Sequence, residues 1–260
     1  MTETYLVIGA TGAQGGAVAK RLEQDGHTVR GFSRKHGDLA DPAAVRDAFG
    51  GVSRASVTLP MVFDADLVTR YVDNIIAAAS HCERLVLNTS NRLPAARTSV
   101  AAFETRRDAA GALLDSGIPT VVLRPPVYLE NLHPSDGVLP YPIPPGHRVA
   151  WLAHDDLGAL TVAAFDRDDL VGTSVDIGGK DIVTGPELAS VFGAGYVPLE
   201  PDAFQKFMTP VIGDAAATGV ADTYRWLSAP ENANFYDGDP GKVESLFGVE
   251  LTPLRTWAAR

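Results

Sequence analysis

A single cysteine, Cys82, stands in the chain, so no internal disulfide can form, and a cysteine-built zinc site would need more thiolates. Lysine is scarce, five residues against seventeen arginines, and no basic cluster forms anywhere. The net charge is −10, which argues against a nucleic-acid partner, because such binding rests mainly on neutralising phosphates. No run of about 18 apolar residues occurs, so no membrane span is expected. No basic stretch precedes an apolar one at the N-terminus, and a cytoplasmic location is the expectation. Internal repeats, low-complexity tracts and metal-ligand spacings are missing too. What remains is ordinary for a globular enzyme: 260 residues, 45% hydrophobic and 21% charged, enough for one large domain with a smaller lobe.

The first half alternates short apolar runs with longer stretches of helical spacing. Strands are predicted at 6–8, 28–32, 56–59, 84–87 and 120–123, and helices at 14–24, 41–49, 64–80 and 98–116. Strands alternating with helices build βαβ units with right-handed crossovers. The expected fold class is therefore α/β, a doubly wound, mostly parallel Rossmann sheet. From about Tyr128 the pattern changes. Residues 134–146 carry five prolines, a loop composition rather than a helix or central strand. A helix is predicted over 155–165 and a strand over 173–177, and Thr184 with Glu187 forms a capping box at a further helix start. Residues 196–260 read as short helices and turns. The division expected is a Rossmann domain over 1–127, with 149–179 returning to it, and a small C-terminal α/β lobe over 128–260.

Between the first strand and helix lies Gly9-Ala-Thr-Gly12-Ala-Gln-Gly15. Gly9 permits a tight turn, Gly12 lets the backbone approach a pyrophosphate, and Gly15 allows close helix–strand packing. The helix N-terminus presents free N–H groups to an anion. Gly9, Thr11, Gly12, Ala13, Gln14 and Gly15 are thus candidate cofactor contacts; a glycine-rich turn without a ligand is the plainer alternative. At the end of the second strand an NAD site would need a carboxylate for the ribose 2′-hydroxyl. The chain has Ser33, Arg34 and Lys35 there instead. Arg34 can fork a phosphate, Lys35 adds a point charge and Ser33 a hydroxyl, so NADP(H) is the expected cofactor. The competing reading is a solvated basic turn.

The stretches VIGATGAQGG, GDLADPAAVRDAFGGV, LVLNTSN and SGIPTVVLRPPVYLENL resemble the NmrA-like group of atypical short-chain dehydrogenase/reductases over essentially the whole chain. The LRPxxYxEN pattern is the more specific of these. The resemblance implies a nicotinamide-dinucleotide-binding fold with a substrate lobe at the C-terminal end. That group usually places a short helix and a strand between the arginine and the Gly-Asp-Leu flanking the adenine. Here only Lys35-His36 separates Arg34 from Gly37. The usual third strand and its helix are therefore predicted to be deleted. In the order 3-2-1-4-5-6 that strand is an edge strand, so the sheet's centre survives. Asp38 and Leu39 remain available to the adenine, and Leu59, Pro60 and Thr89 are further expected cofactor contacts.

Short-chain reductases carry Tyr-x-x-x-Lys on the helix before the last core strand. Counted back from Gly117, the lysine place falls on Arg106 and the tyrosine place on Ala102, or, shifted by one, on Arg107 and Phe103. Neither register supplies the pair. Arginine cannot shuttle a proton at neutral pH, though Arg106 could hold a ribose or a substrate anion. Equally, Arg106 and Arg107 read as solvated residues paired with Glu104 or Asp108. The loop after the last core strand offers Tyr128 and His133 as candidate catalytic groups. Ser90, Asn91, Tyr128 and Asn131 are candidate substrate contacts, while packing, surface exposure and turn chemistry are the plainer readings of these positions. His154-Asp155 reads as a helix-cap region rather than a catalytic pair. Two functions follow. One is an NADPH-dependent reductase of an apolar carbonyl or quinone-type, aromatic small molecule, with natural-product tailoring as a narrower guess. The other is a non-enzymatic NADP-sensing regulator, which the family also contains. Either function is compatible with an oligomer.

Overall fold

The computed structural model describes residues 3–260. β1 (Thr4–Ile8) runs into α1 (Ala13–Gln24), and β2 (Thr28–Phe32) into α2 (Pro42–Phe49). Then come β3 (Arg54–Thr58), α3 (Ala65–Ala78), β4 (Arg84–Asn88), α4 (Ala101–Asp115) and β5 (Thr120–Arg124). These five strands and β7 (Thr173–Asp176) form one parallel sheet in the order β2-β1-β3-β4-β5-β7. Side chains alternate across it with period two. Leu6 and Ile8 pack with Val45, Phe49, Ile75 and Leu113 from α2, α3 and α4. Tyr5 and Val7 pack on the other face with Val18 and Leu22 of α1 and with Leu157 and Leu160 of α5 (His154–Ala164). The central strand β4 is buried along its whole length, as a strand covered on both faces must be.

Among the described residues no strand pairs beyond β2, so the predicted deletion is observed. Residues 33–41 cross to α2 through two turns, closed by His36 N–H donating to the Ser33 carbonyl (2.7 Å) and Asp41 N–H to that of Asp38 (3.0 Å). Asp41 then caps α2 by accepting from Ala43 N–H. The new edge is partly occupied by its own side chains. Arg30 of β2 donates to the carbonyls of Ala48 and Gly50, at 3.0 and 2.6 Å, where α2 ends. That uses the orphan carbonyls of a helix C-terminus and leaves a charge on the bare strand edge, which discourages pairing with another chain.

The second half adds a small α/β lobe. β6 (Val138–Tyr141) pairs in parallel with β8 (Gly195–Pro198), register Leu139↔Tyr196. A strand inside the proline-rich stretch was not foreseen. Its two-stranded sheet has only edge strands, and an edge tolerates Pro140 because the missing N–H can face away from the ladder. The lobe continues through α6 (Gly185–Val191), whose Thr184–Glu187 capping box is present, then α7 (Pro201–Ile212) and α8 (Asp214–Leu227). The last two, at 12 and 14 residues, are longer than the short helices expected. α9 (Pro240–Phe247) and α10 (Leu254–Ala258) close the chain. Tyr141, Trp151, Leu188 and Tyr224 are buried in a separate lobe core. Residues 149–179 supply α5 and β7 to the main sheet, and Val243, Phe247 and Leu251 also pack into its core.

Candidate functional site

The turn between β1 and α1 has the shape the glycine spacing requires. Gly9 has φ +84°, and its N–H donates to the Phe32 carbonyl of β2 at 2.9 Å. A Cβ on Gly15 would stand 2.3 Å from the Gly9 carbonyl oxygen, so α1 can approach the loop this closely only with glycine there. Gly12 caps the helix without a side-chain bond, and Thr11, Gly12 and Ala13 are exposed. The first turn of α1 contains no acidic residue. The first backbone N–H groups of a helix and the positive end of its dipole, with no acidic side chain in the first turn, suit an anion.

At the end of β2, Arg34 and Lys35 are exposed, and neither side chain forms an ion pair or hydrogen bond among the described residues, although Lys35 N–H donates to Ser33 Oγ at 3.4 Å. Ser33 is tied into the turn: its N–H and hydroxyl both lie 3.2 Å from His36 Nδ1. The backbone N–H can only donate, so Nδ1 accepts, and the ring proton of neutral His36 sits on Nε2. His36 is exposed beside Arg34 and Lys35 and closes the turn rather than merely linking Arg34 to Gly37. Asp38 is exposed and accepts from Ala40 N–H at 2.9 Å, while Leu39 is buried against the core. Leu59 is likewise core, and Pro60 is exposed beside it.

Arg106 is not solvated. It is 3% exposed on α4, and its guanidinium donates to the carbonyls of Pro60 (2.5 Å) and Val62 (3.2 Å) in the loop after β3. Its charge lies 5.5 Å from the Phe63 ring centre. Burial without a carboxylate partner pulls its pKa down to about 10. Arg107 does pair with Glu104, at 3.2 Å. Ala102 and Phe103 are both buried, so α4 offers no proton donor at the tyrosine place in either register. Arg106→Met should remove two charge-assisted bonds and leave two carbonyls short of donors, a loss of about 2–3 kcal/mol in urea unfolding. Arg106→Ala should also weaken cofactor or substrate binding by loosening the 60–63 loop. Unchanged stability in both variants would mean that this clamp holds nothing.

Several remaining candidates meet at the carboxyl ends of β4 and β5. Asn88, the last residue of β4, donates to Gln14 Oε1 at 2.7 Å. Ser90 Oγ and the Tyr128 hydroxyl reach the same oxygen at 2.9 and 3.1 Å. Tyr128 is 3% exposed, and burial raises its pKa far above that of a free phenol. Thr89 turns inward, donating to the carbonyls of Asn91 (2.6 Å) and Leu123 (3.1 Å). Asn91 accepts from the Tyr236 hydroxyl of the lobe at 2.7 Å. Asn131 and His133 are exposed on the following turn, apart from this cluster. His154 begins α5, with Ala153 as its N-cap, and no side chain of the pair caps the helix. Its ring lies 4.8 Å from that of Tyr128, its Nδ1 is 3.5 Å from Glu130 Oε2, and burial lowers its pKa. Asn88 and Glu130 were not singled out from the sequence. A buried asparagine closing an otherwise apolar strand was the available signal for Asn88.

A parallel sheet whose first strand passes through a glycine-rich turn into a helix N-terminus has the architecture of the Rossmann class of dinucleotide-binding folds. Residues 1–197 match the NmrA-like family, and the chain belongs to it. A relative, the NAD(P)H azoreductase of Xenophilus azovorans, is 23% identical, the match covering 97% of this chain and 95% of that protein. Among solved structures, the fold is similar to a nucleoside-diphosphate-sugar epimerase of Staphylococcus aureus (TM-score 0.76, 15% identity, all of both chains). It is also similar to an NADPH-dependent quinone oxidoreductase of Escherichia coli in complex with NADPH (TM-score 0.70, 19% identity, 98% of each chain). At such identities the structural likeness speaks to the fold alone, and the two structures carry different chemistries on it. No helix among the described residues is long and apolar enough to cross a membrane.

Proposed function

We propose that this chain is an NADP(H)-dependent reductase of aromatic, quinone-type small molecules. The observation that carries the cofactor choice is the basic edge at the end of β2, where exposed Arg34 and Lys35 stand with no carboxylate at the ribose position. The glycine turn would hold the pyrophosphate, Arg34 and Lys35 the 2′-phosphate, and exposed Asp38 the adenine side, with Leu39 anchoring that turn in the core. The bound dinucleotide would supply a hydride. The reductase names among the relatives agree with this reading.

The protein's own groups orient and enclose rather than protonate. Arg106 holds the 60–63 loop against α4, and the Asn91–Tyr236 bond ties the lobe to the end of β4. A quinone accepting a hydride leaves a stabilised oxyanion that water can protonate, so the missing Tyr-x-x-x-Lys pair is no obstacle. A proton from the 128–133 loop, from Tyr128 or His133, is the alternative route; positioned transfer would contribute about 10²–10⁴-fold. Natural-product tailoring is a narrower version of the same proposal.

A second reading, an NADP-sensing regulator, is favoured by one observation: α4 carries Ala102, Phe103 and a guanidinium committed to backbone carbonyls where a proton relay would stand. Following NADPH oxidation against a panel of quinones and aromatic ketones separates the two. Turnover of any member supports the reductase, whereas tight NADPH binding with no turnover across the panel supports the sensor.

A further inference from the structure

Among the described residues, the two most exposed large apolar side chains stand on one helix. Phe207 is 68% exposed and Val211 70%, both on α7, which has no buried residue of its own. Phe204, Phe207, Met208 and Val211 recur at i, i+3, i+4 and i+7, so they form one stripe. The stripe starts on the lobe core and then leaves it. The Phe204 ring lies 5.1 Å from that of Tyr224 and 6.5 Å from that of Tyr141. One and two turns further on, Phe207 and Val211 face solvent. Pro210 lacks the N–H that would bond the carbonyl one turn back, which softens this exposed half of the helix.

α7 is tied to α8 through another face. Gln205 Nε2 donates to Thr218 Oγ1 at 2.8 Å, and Arg225 Nη2 donates to Asp202 Oδ1 at 2.6 Å. α8 in turn is fixed to the edge of the sheet where ligands bind. Its Gly219 sits so close to Phe63 that a Cβ there would stand 2.1 Å from a ring carbon. Phe63 belongs to the loop after β3 that Arg106 clamps, at the carboxyl end of a parallel strand. Met61 in the same loop is also exposed. The seat of the stripe reaches the end of β5 as well. The Tyr141 and Tyr224 hydroxyls are 2.9 Å apart. Burial raises the Tyr141 pKa, and Tyr224 and the Asn131 amide act against that rise. Asn131 is exposed just after β5.

The size of the bare patch decides what covers it. Two such side chains expose on the order of 200 Å² of apolar surface, about a quarter of the roughly 800 Å² per partner of a stable protein interface. That is too little for a second chain and enough for one face of a small aromatic molecule. We infer that Phe207 and Val211 are specificity-determining residues, which cover the rings of the substrate where they project from the cleft. The inference rests on the reductase reading above and narrows it to flat, multi-ring quinones over single-ring ones.

Phe207→Ser and Val211→Ser test it, each assayed beside the unmodified chain with a one-ring benzoquinone and a two-ring naphthoquinone. Both side chains are exposed, so melting temperature and Kd for NADPH should not move. KM for the naphthoquinone should rise about tenfold and that for the benzoquinone by no more than about twofold, because the lost contact scales with the apolar area covered. Phe207→Leu, which keeps an apolar side chain there, should recover most of the loss. Unchanged KM for the naphthoquinone in both serine variants overturns the inference, as does an equal rise for the two quinones. An unmodified chain that sediments as a dimer, with Phe207→Ser a monomer, also overturns it, because the stripe is then an interface between copies. If the unmodified chain reduces neither quinone, the reductase reading fails and takes this assignment with it. Unchanged KM in variants of an active parent fails this assignment alone.

Discussion

Arg34→Ala is expected to weaken NADPH binding ten- to a hundredfold and to leave NADH binding almost unchanged. A guanidinium makes charge-assisted, often bidentate bonds to a phosphate, and losing one such contact costs on the order of 1.5–3 kcal/mol. NADH lacks the 2′-phosphate, so it has nothing to lose. The side chain is exposed and has no partner among the described residues, so its removal leaves none of them unsatisfied. The change should therefore appear in affinity and not in stability. Parallel titrations of variant and parent with both dinucleotides read it directly, and an equal loss for NADH would place Arg34 elsewhere than on the 2′-phosphate.

Gly15→Ala should abolish measurable dinucleotide binding. The added Cβ would lie 2.3 Å from the Gly9 carbonyl oxygen and 2.6 Å from its carbon, both backbone atoms of the glycine turn. Neither can rotate away. Relief requires α1 to move off the loop, which widens the turn and should destabilise the fold by about 1–3 kcal/mol, the usual cost of overpacking. Gly16→Ala is the matched control. Its Cβ would meet the Ala10 carbonyl at 3.4 Å, an ordinary contact, and alanine favours a helix over glycine by up to about 1 kcal/mol. Thermal melts of the pair should move in opposite directions, and calorimetry should show NADPH binding lost in Gly15→Ala and kept in Gly16→Ala. Normal NADPH binding by Gly15→Ala would show that the turn is not where the phosphates lie.

What could be read from the sequence was local. Gly9 and Gly15 announce their turn because only glycine accepts φ +84° comfortably or so close an approach of backbone to backbone. The deleted third strand was legible because two residues cannot form a helix and a strand, and an edge strand can go without disturbing β1 or β3. The Thr184–Glu187 box was legible because a capping box is closed within four residues. What stayed hidden depends on contacts distant in sequence. β6 pairs with a strand more than fifty residues later, and Pro140 within it and the prolines around it mask the alternation that marks a strand. The position of Arg106 on α4 followed from counting, but its burial on Pro60 and Val62 depends on how α4 packs beside α3 and against the loop after β3. The Gln14 cluster joins α1 to the ends of β4 and β5, and no spacing rule encodes that.

If the glycine turn and the basic edge together select a dinucleotide carrying a 2′-phosphate, the unmodified protein should show the preference by itself. Calorimetric titration with NADPH and with NADH, at one ionic strength, should give at least tenfold tighter binding of NADPH. Equal affinity for the two would mean that the basic edge does not read the 2′-phosphate.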